Sequence, residues 1–314
     1  MNSRLKKFLV TVVVAGIMFA LVGCSSRGSN PTPISSTPAS DFIARFEING
    51  VISSDIEETL FSTASGYRHT DFLNFIDKMI INDNNKGLMI YINTPGGTVY
   101  DSDELYLKIM QYKEETNRPV WVYMGPQACS GGYYIAAAAD KIIANRNTWT
   151  GSIGVIIQVQ NITELMDKLG IKIEGITSGD YKEIGSPYKP MTDSERAVLQ
   201  SMTDEAFEQF VDIVALGRNM TKEEVLKVAD GRIFTAKQAL ELNLIDEILV
   251  YEDMQVKMAS ELNVSTIYDI PVPESSNSLF SSLLGVGTLG SSETLELLKI
   301  LENVKPARAM YIRG

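Results

Sequence analysis

Two kinds of apolar segment alternate along the first half of this chain. Some are short runs, continuous or alternating with polar residues, as in β-strands. Others place apolar residues at steps of three and four, as in helices. The strand-like segments are 42–52, 86–93, 119–124 and 141–144. The helical segments between them are 71–81, 103–112 and 131–139. Strands and helices in alternation predict an α/β fold with stacked βα units and a parallel sheet.

The second half of the chain is predominantly helical. Residues 193–218 carry apolar positions along one face, which predicts a long helix, and a second helix is predicted over 221–229. Residues 232–249 predict a turn, a short helix capped by a threonine, and a closing strand. Together with the first half, these elements predict one main domain over residues 41–270.

The N-terminus has the pattern of an export signal. A basic head precedes an apolar stretch over residues 8–22, and Gly23-Cys24-Ser25 follows. The stretch is shorter than the ~20 residues of a transmembrane helix. Its ending resembles a bacterial lipobox, which implies that Cys24 is the lipidated first residue of a mature lipoprotein. An uncleaved membrane anchor is the alternative. Either reading places the body outside the cytoplasm, attached to the cell membrane by its N-terminus.

Composition changes mark the other boundaries. Residues 24–40 are rich in Ser, Pro and Thr, which is typical of a flexible tether after the leader at 1–23. Residues 271–292 are poor in charge and rich in Ser, Gly and Pro, and they predict a linker. A C-terminal helix and strand are expected over 293–314.

The net charge and the low numbers of cysteine and histidine argue against several kinds of partner and site. The net charge of −11 disfavours nucleic acid as a partner. The two cysteines, Cys24 and Cys129, cannot form a disulfide framework, and a single histidine, His69, cannot form a multi-histidine metal site. We therefore expect no metal and no organic cofactor.

Four polar or glycine-rich motifs offer the chemistry for hydrolysing an acyl bond, which needs a nucleophile, a base and donors to an oxyanion. The motifs are Asn93-Thr94-Pro95-Gly96-Gly97, Ser130-Gly131-Gly132-Tyr133-Tyr134, Thr150-Gly151-Ser152-Ile153-Gly154 and Gly179-Asp180-Tyr181-Lys182. Each alone also fits an ordinary role: a glycine turn, a serine helix cap, or a solvated lysine.

In this order the motifs resemble those of the signal peptide peptidase A family, serine peptidases with a Ser/Lys dyad. The resemblance covers about residues 41–250 and is to the half-length bacterial members, which have one catalytic repeat. It implies a ClpP/crotonase-like stacked ββα superhelix with a single catalytic domain. Thr94 departs from the family, which more often has serine there.

The resemblance also implies a role for each matching residue. Ser130 corresponds to the nucleophile, Lys182 to the general base and Ser152 to the residue that orients the lysine. A lysine acts as a base only when it is neutral, which desolvation favours. The backbone N–H groups of Gly97 and Gly131 correspond to the oxyanion hole. The peptide would bind as an added strand along Gly97, Thr98, Val99, Ile153, Gly154 and Val155.

The implied function is endopeptidase cleavage of hydrophobic peptides, such as released signal peptides, outside the cytoplasmic membrane. The short family members form homo-oligomeric rings in which neighbouring subunits supply the Ser and the Lys of one site. The terminal segment 307–314 is expected either to lie in the active-site groove or to form a plain edge strand.

Three other functions remain open from the sequence. A catalytically idle scaffold of the same fold would bind hydrophobic peptides. A crotonase-like acyl-CoA enzyme would share the architecture, but export disfavours a cytoplasmic substrate. A His-based protease would need His69, which lies in a polar stretch and is interpreted as a solvated loop residue. Cys129, next to Ser130, is interpreted as core packing and not as the nucleophile.

Overall fold

The computed structural model describes residues 37–54 and 67–271. Within these ranges the chain forms one eight-stranded sheet with helices on its faces. The strands are β1 (Phe42–Asn49), β2 (Asn85–Thr94), β3 (Val120–Cys129), β4 (Lys141–Ala144), β5 (Trp149–Gly151), β6 (Ile233–Thr235), β7 (Glu247–Ile248) and β8 (Thr266–Asp269). The helices are α1 (His69–Ile80), α2 (Val99–Thr116), α3 (Gly131–Ala136), α4 (Thr163–Leu169), α5 (Asp193–Arg218), α6 (Lys222–Leu226), α7 (Ala236–Glu241) and α8 (Tyr251–Leu262).

The strand order is β6-β5-β3-β2-β1-β8, and β4 pairs with both β3 and β7 beside this path. Every pairing is parallel except that of β5 with β6. The central strand β3 pairs with β4 along its first half and with β5 along its last three residues. This topology confirms the predicted α/β fold with parallel βα units.

The central strands are buried on both faces of the sheet, which explains why their sequences are nearly continuous apolar runs. On one face, side chains such as Phe46, Ile90 and Val122 belong to a large core with the helices α1, α2, α3 and α5. On the other face, Met89 and Trp121 pack in a smaller core that includes Met254 and Met258 of α8.

Most predicted elements lie where the pattern puts them, and α5 and β4 have the predicted bounds. Two elements extend beyond prediction toward the site. Helix α2 begins at Val99 because the Thr98 side chain accepts a hydrogen bond from the Asp101 N–H as its N-cap. Strand β3 continues through polar residues to Cys129. The pattern did not predict the short elements β5 and α4, nor α8 and β8 near the end of the domain.

Several predictions lie outside the described residues. These are the export signal, Cys24 and most of the tether, the linker beyond residue 271, and the C-terminal helix and strand. In the part of the chain that the structure does describe, no helix has both the length and the apolar character needed to cross a bilayer.

Candidate active site

The parallel pairing of β2 with β3 brings two of the four motifs together. Thr94, near the end of β2, pairs with Ala128, near the end of β3. Because both strands run in the same direction, the loops that follow them leave the sheet at the same edge. The loop Pro95-Gly96-Gly97 therefore lies beside Ser130.

The loop after β2 forms a short parallel β-bridge with the segment that follows β1. The N–H of Ile52 donates to the Gly96 carbonyl, and the N–H of Thr98 donates to the Ile52 carbonyl, both at 2.9 Å. In such a parallel bridge the residue between the two bonds points its own N–H and C=O the other way. Gly97 is that residue, so its backbone N–H is directed away from Ile52.

Ser130 has a backbone conformation that few non-glycine residues adopt. Its φ is 52° and its ψ is −119°, and it lies at the junction of β3 and α3. Strain of this kind is concentrated at functional sites. Although Ser130 occupies the N-cap position of α3, its side chain makes no capping hydrogen bond. The ordinary interpretation of this serine as a helix cap is therefore wrong.

Two glycines beside Ser130 lie where a side chain would meet its neighbours. Gly96 has a φ of +111°, and a β-carbon there would lie 2.7 Å from the Ser130 Cβ and 3.1 Å from its Oγ. A β-carbon on Gly131 would lie 2.3 Å from the Ser102 Oγ and 3.3 Å from the Gly97 nitrogen. The point at Gly96 also lies 3.1 Å from the Gly131 nitrogen, so the loops that carry the Gly97 and Gly131 amides meet beside Ser130.

Ser152 lies on the other side of Ser130. Strand β5 pairs with the end of β3 so that Gly151 is opposite Cys129, and the Ser130 N–H donates to the Gly151 carbonyl at 2.9 Å. Ser152 also has a left-handed backbone, with a φ of 51°. Its N–H donates to the Arg232 carbonyl at 2.8 Å. Both serines are partly buried.

Lys182 is placed differently. It lies in a tight turn in which its N–H donates to the Gly179 carbonyl at 3.1 Å, and its side chain is exposed. Among the residues that the structure describes, no side-chain hydrogen bond joins Lys182 to Ser130 or Ser152. One chain therefore brings together Ser130, Ser152 and the two glycine amides, but it does not bring Lys182 to them.

The predicted substrate-binding residues lie at the two sides of this site. Thr98 and Val99 continue the loop after β2 into α2, and both are exposed. On the other side, Ile153 is buried, while Gly154 and Val155 are partly exposed. The Gly231 N–H donates to the Ile153 carbonyl at 3.0 Å, which ties this segment to the body.

His69 contradicts its sequence-based interpretation. The residue is only 7% exposed and begins α1, so it is not a solvated loop residue. Its Nδ1 lies 2.7 Å from the Tyr67 hydroxyl, and its Nε2 lies 2.7 Å from Glu104 Oε2. A histidine–carboxylate hydrogen bond is thus present. Because both ring nitrogens are engaged away from Ser130, His69 is not placed to accept the serine proton.

Cys129 is buried, and its Sγ lies 3.6 Å from the Trp149 carbonyl. Burial raises the pKa of the Cys129 thiol, despite hydrogen bonds from Gln127 and the Ala128 backbone that lower it. A raised pKa disfavours the thiolate that a cysteine nucleophile requires. These surroundings agree with a packing role.

Known proteins share sequence with this chain over most of its length. The family model described as peptidase family S49 matches residues 112–265. A protein assigned as signal peptide peptidase SppA in Enterococcus faecium is 36% identical over 77% of this chain and 70% of its own length. A protein assigned as a protease in Synechocystis is 39% identical over 67% of this chain and 71% of its own length.

Among solved structures, a ClpP1 variant from Listeria monocytogenes aligns with a TM-score of 0.42 at 17% identity, over 67% of this chain and 92% of that one. The sequence matches decide the family, because they combine more than 30% identity with most of the length of both partners. The chain accordingly belongs to peptidase family S49, the signal peptide peptidase A family, and is a serine peptidase.

Proposed function

We propose that this peptidase works by a Ser130/Lys182 dyad and cleaves hydrophobic peptides, released signal peptides among them. The observation that carries the proposal is the strained, uncapped Ser130, which lies where the loops that carry the Gly97 and Gly131 amides meet. A serine in this setting has an accessible hydroxyl and two donors beside it. These are two of the three parts that acyl hydrolysis requires.

The proposed first step is attack of Ser130 Oγ on the scissile carbonyl while Lys182 accepts the hydroxyl proton. Negative charge develops on the carbonyl oxygen, and the N–H groups of Gly97 and Gly131 donate to it. Losing one such donor typically raises the barrier by about 3–4 kcal/mol. The amine product leaves with a proton from Lys182, and a water activated by the same lysine then hydrolyses the acyl-enzyme.

The base is proposed to come from a neighbouring subunit. Lys182 is exposed in the single chain, and so are large apolar side chains throughout the segment 155–190, which we call the arm. The arm exposes Ile156, Ile157, Leu165, Leu169, Ile171, Ile173, Ile176, Tyr181 and Tyr188. Helix α4, inside the arm, buries none of its residues. An apolar surface of this kind favours a homo-oligomer in which the arm of one copy delivers Lys182 to Ser130 of the next.

The residues expected to select the substrate lie at the same edge of the sheet as Ser130. An extended peptide would pair with the backbone at Gly97–Val99 and at residues 153–155, on the two sides of Ser130. Val99 and Tyr100 are 44% and 70% exposed at the start of α2. Their apolar surfaces beside the nucleophile favour hydrophobic side chains. The N-terminal pattern supports a site of action outside the cytoplasmic membrane, with the chain attached through Cys24 or an anchor.

The test is cleavage of a hydrophobic fluorogenic peptide, across pH, by the soluble piece 41–314. Ser130→Ala and Lys182→Ala should each abolish cleavage, while Lys172→Ala, an exposed lysine in the same arm, should retain it. Size-exclusion chromatography checks that all variants assemble alike. Activity that persists in Lys182→Ala would mean another base. A correctly assembled wild type without activity would favour the peptide-binding scaffold instead.

A further inference from the structure

A second cluster of chemically active side chains lies behind the loop that carries Gly97. His69, at the start of α1, faces Asp101 and Glu104, on the first turns of α2. The His69 Nε2 is 2.7 Å from Glu104 Oε2 and 3.8 Å from Asp101 Oδ1. One nitrogen and two carboxylate oxygens therefore converge, and these three atoms all lie within 4.8 Å of one another.

The two oxygens of Asp101 have very different surroundings. Oδ2 accepts hydrogen bonds from the Thr98 hydroxyl at 2.6 Å and from the Ser54 N–H at 2.9 Å. Oδ1 is buried and has no hydrogen-bond partner among the described residues. Asp101 as a whole is 2% exposed. A buried carboxylate oxygen without a partner is costly, and here it faces the cluster.

We propose that His69 Nε2, Asp101 Oδ1 and Glu104 Oε2 bind a divalent transition-metal ion, with Zn²⁺ the best match. Imidazole and carboxylate are ligands that zinc accepts, and three protein ligands with water in the fourth position form a common zinc site. Two carboxylates and a neutral imidazole carry a charge of −2, which a divalent cation balances. The sequence pointed away from a metal because it contains a single histidine, but carboxylates supply the other two ligands.

The surroundings of the cluster suit a metal in two further respects. A histidine that binds a metal through one ring nitrogen normally donates a hydrogen bond from the other. The Tyr67 hydroxyl, 2.7 Å from Nδ1, is in place to accept it. The Glu104 side chain is 41% exposed, so it can move the roughly 0.6 Å that a tetrahedral zinc ion between it and His69 requires, since bonds of about 2.0–2.1 Å hold the two ligand atoms about 3.3 Å apart. The same exposure gives solvent access to the fourth position.

The ion would act on the active site through Asp101. That carboxylate joins the segment after β1, through Ser54, to Thr98, which directly follows Gly97. Fixing Asp101 therefore stiffens the loop whose amide is proposed to hold the oxyanion. The ion is not a reactant in this proposal, since Ser130 lies outside the cluster. Its role is to hold the loop in position.

The experiment uses the full chain in detergent, purified without a histidine tag, treated with a chelator and dialysed. Zn²⁺ alone is then titrated by calorimetry. Because His69 is the single histidine of the chain, X-ray absorption at the zinc edge should report one imidazole ligand. Co²⁺ should give the visible absorption of a low-symmetry four-coordinate site. Thermal unfolding with and without Zn²⁺ provides a second measurement of binding.

The half-exposed ligand provides the safest variant. Glu104→Gln should fold and should weaken Zn²⁺ binding at least about tenfold, as should Asp101→Asn. Glu114→Gln, an exposed carboxylate on the same helix, should bind as the wild type does. The proposal fails if the wild type takes up no stoichiometric zinc, or if Glu104→Gln and Glu114→Gln bind it equally. The first result would identify the cluster as a set of hydrogen-bonded side chains that holds no metal.

Discussion

The backbone nitrogen of Gly97 lies 3.3 Å from the point that a β-carbon on Gly131 would occupy. Gly97 follows β2 and Gly131 follows β3, so two loops from neighbouring parallel strands meet at this point. The Ser102 Oγ, on α2, lies 2.3 Å from the same point. Helix α2 thus lies directly behind the proposed oxyanion hole, and a side chain at position 131 fits only if the Ser102 hydroxyl shifts.

The first prediction concerns the tight space at position 131. In Gly131→Ala the added methyl group collides with the Ser102 hydroxyl and displaces the amides of Gly97 and Gly131. Peptidase activity should fall at least about a hundredfold, as it does when an oxyanion donor is lost. The measurement is kcat/KM on the hydrophobic peptide, with circular dichroism to check folding.

A second substitution and a control sharpen this test. Ser102→Ala removes the nearest colliding atom, so the double variant Gly131→Ala/Ser102→Ala should recover part of the lost activity. Glu114→Ala is the control, because Glu114 is exposed on the same helix as Ser102 and lies outside all four motifs. Equal activity of Gly131→Ala and Glu114→Ala would contradict the proposed position of the oxyanion hole.

Thr94 supplies the second prediction. It is fully buried, and its hydroxyl accepts a hydrogen bond from the Gly96 N–H at 3.0 Å and donates to the Gly96 carbonyl at 3.2 Å. Serine keeps this hydroxyl, whereas valine replaces it with a methyl group of similar size. Thr94→Ser should therefore retain activity, and Thr94→Val should lose about 1–3 kcal/mol of unfolding free energy.

Chemical denaturation of the two Thr94 variants is the measurement, with kcat/KM as the second readout. Thr94→Val should also be less active, because the Gly96 amide loses its acceptor and the loop beside Ser130 loosens. If Thr94→Val matches Thr94→Ser in both stability and activity, the hydroxyl does not hold this loop. Only its methyl group, which lies 2.4 Å from the point that a β-carbon on Gly132 would occupy, would then matter.

Apolar periodicity made much of the fold predictable, and local motifs made part of the site predictable. Ser130, Gly97 and Gly131 each follow a strand that apolar periodicity reveals, and parallel strands place their carboxyl ends together. Ser152 was harder to place, because the three-residue strand β5 that sets its register is too short to give a periodic signal. The resemblance of its motif, and not the hydrophobic pattern, pointed to it.

The His69 cluster shows what the sequence could not reveal. The histidine lies in a polar stretch, and its partner Glu104 is 35 residues away on another helix. Neither residue belongs to a local motif, and a histidine–carboxylate hydrogen bond leaves no trace in hydrophobic periodicity. Lys182 presents the opposite case: its motif resembles that of the family base, but in the single chain its side chain is exposed and makes no hydrogen bond to Ser130 among the described residues.

Cys129 supplies the third prediction. Because burial raises the pKa of its thiol, little thiolate is present at neutral pH, and the thiolate fraction increases as the pH rises. In the piece 41–314, where Cys129 is the single thiol, iodoacetamide should label the native protein much more slowly than the unfolded protein. Cys129→Ala should retain most peptidase activity. Rapid labelling at pH 7, together with loss of activity in Cys129→Ala, would indicate that the cysteine takes part in catalysis.

The fourth prediction tests whether Ser130 and Lys182 of one site come from different subunits. Ser130→Ala and Lys182→Ala should each be inactive, but each keeps the residue that the other lacks. If they are denatured together in equal amounts and refolded, random assembly should place an intact serine beside an intact lysine at about a quarter of the interfaces. About a quarter of the wild-type activity should therefore return.

The control for this mixing experiment is a variant with an altered arm. Ile176 is 98% exposed in the single chain, and Ile173 beside it is 53% exposed. Replacing both with aspartate should prevent assembly, because the charges oppose burial of the arm, and it should also prevent recovery of activity in the mixture. If the mixture stays inactive although mixed oligomers form, each site takes its serine and its lysine from one chain. In that case the arm must fold back onto its own body to bring Lys182 to Ser130.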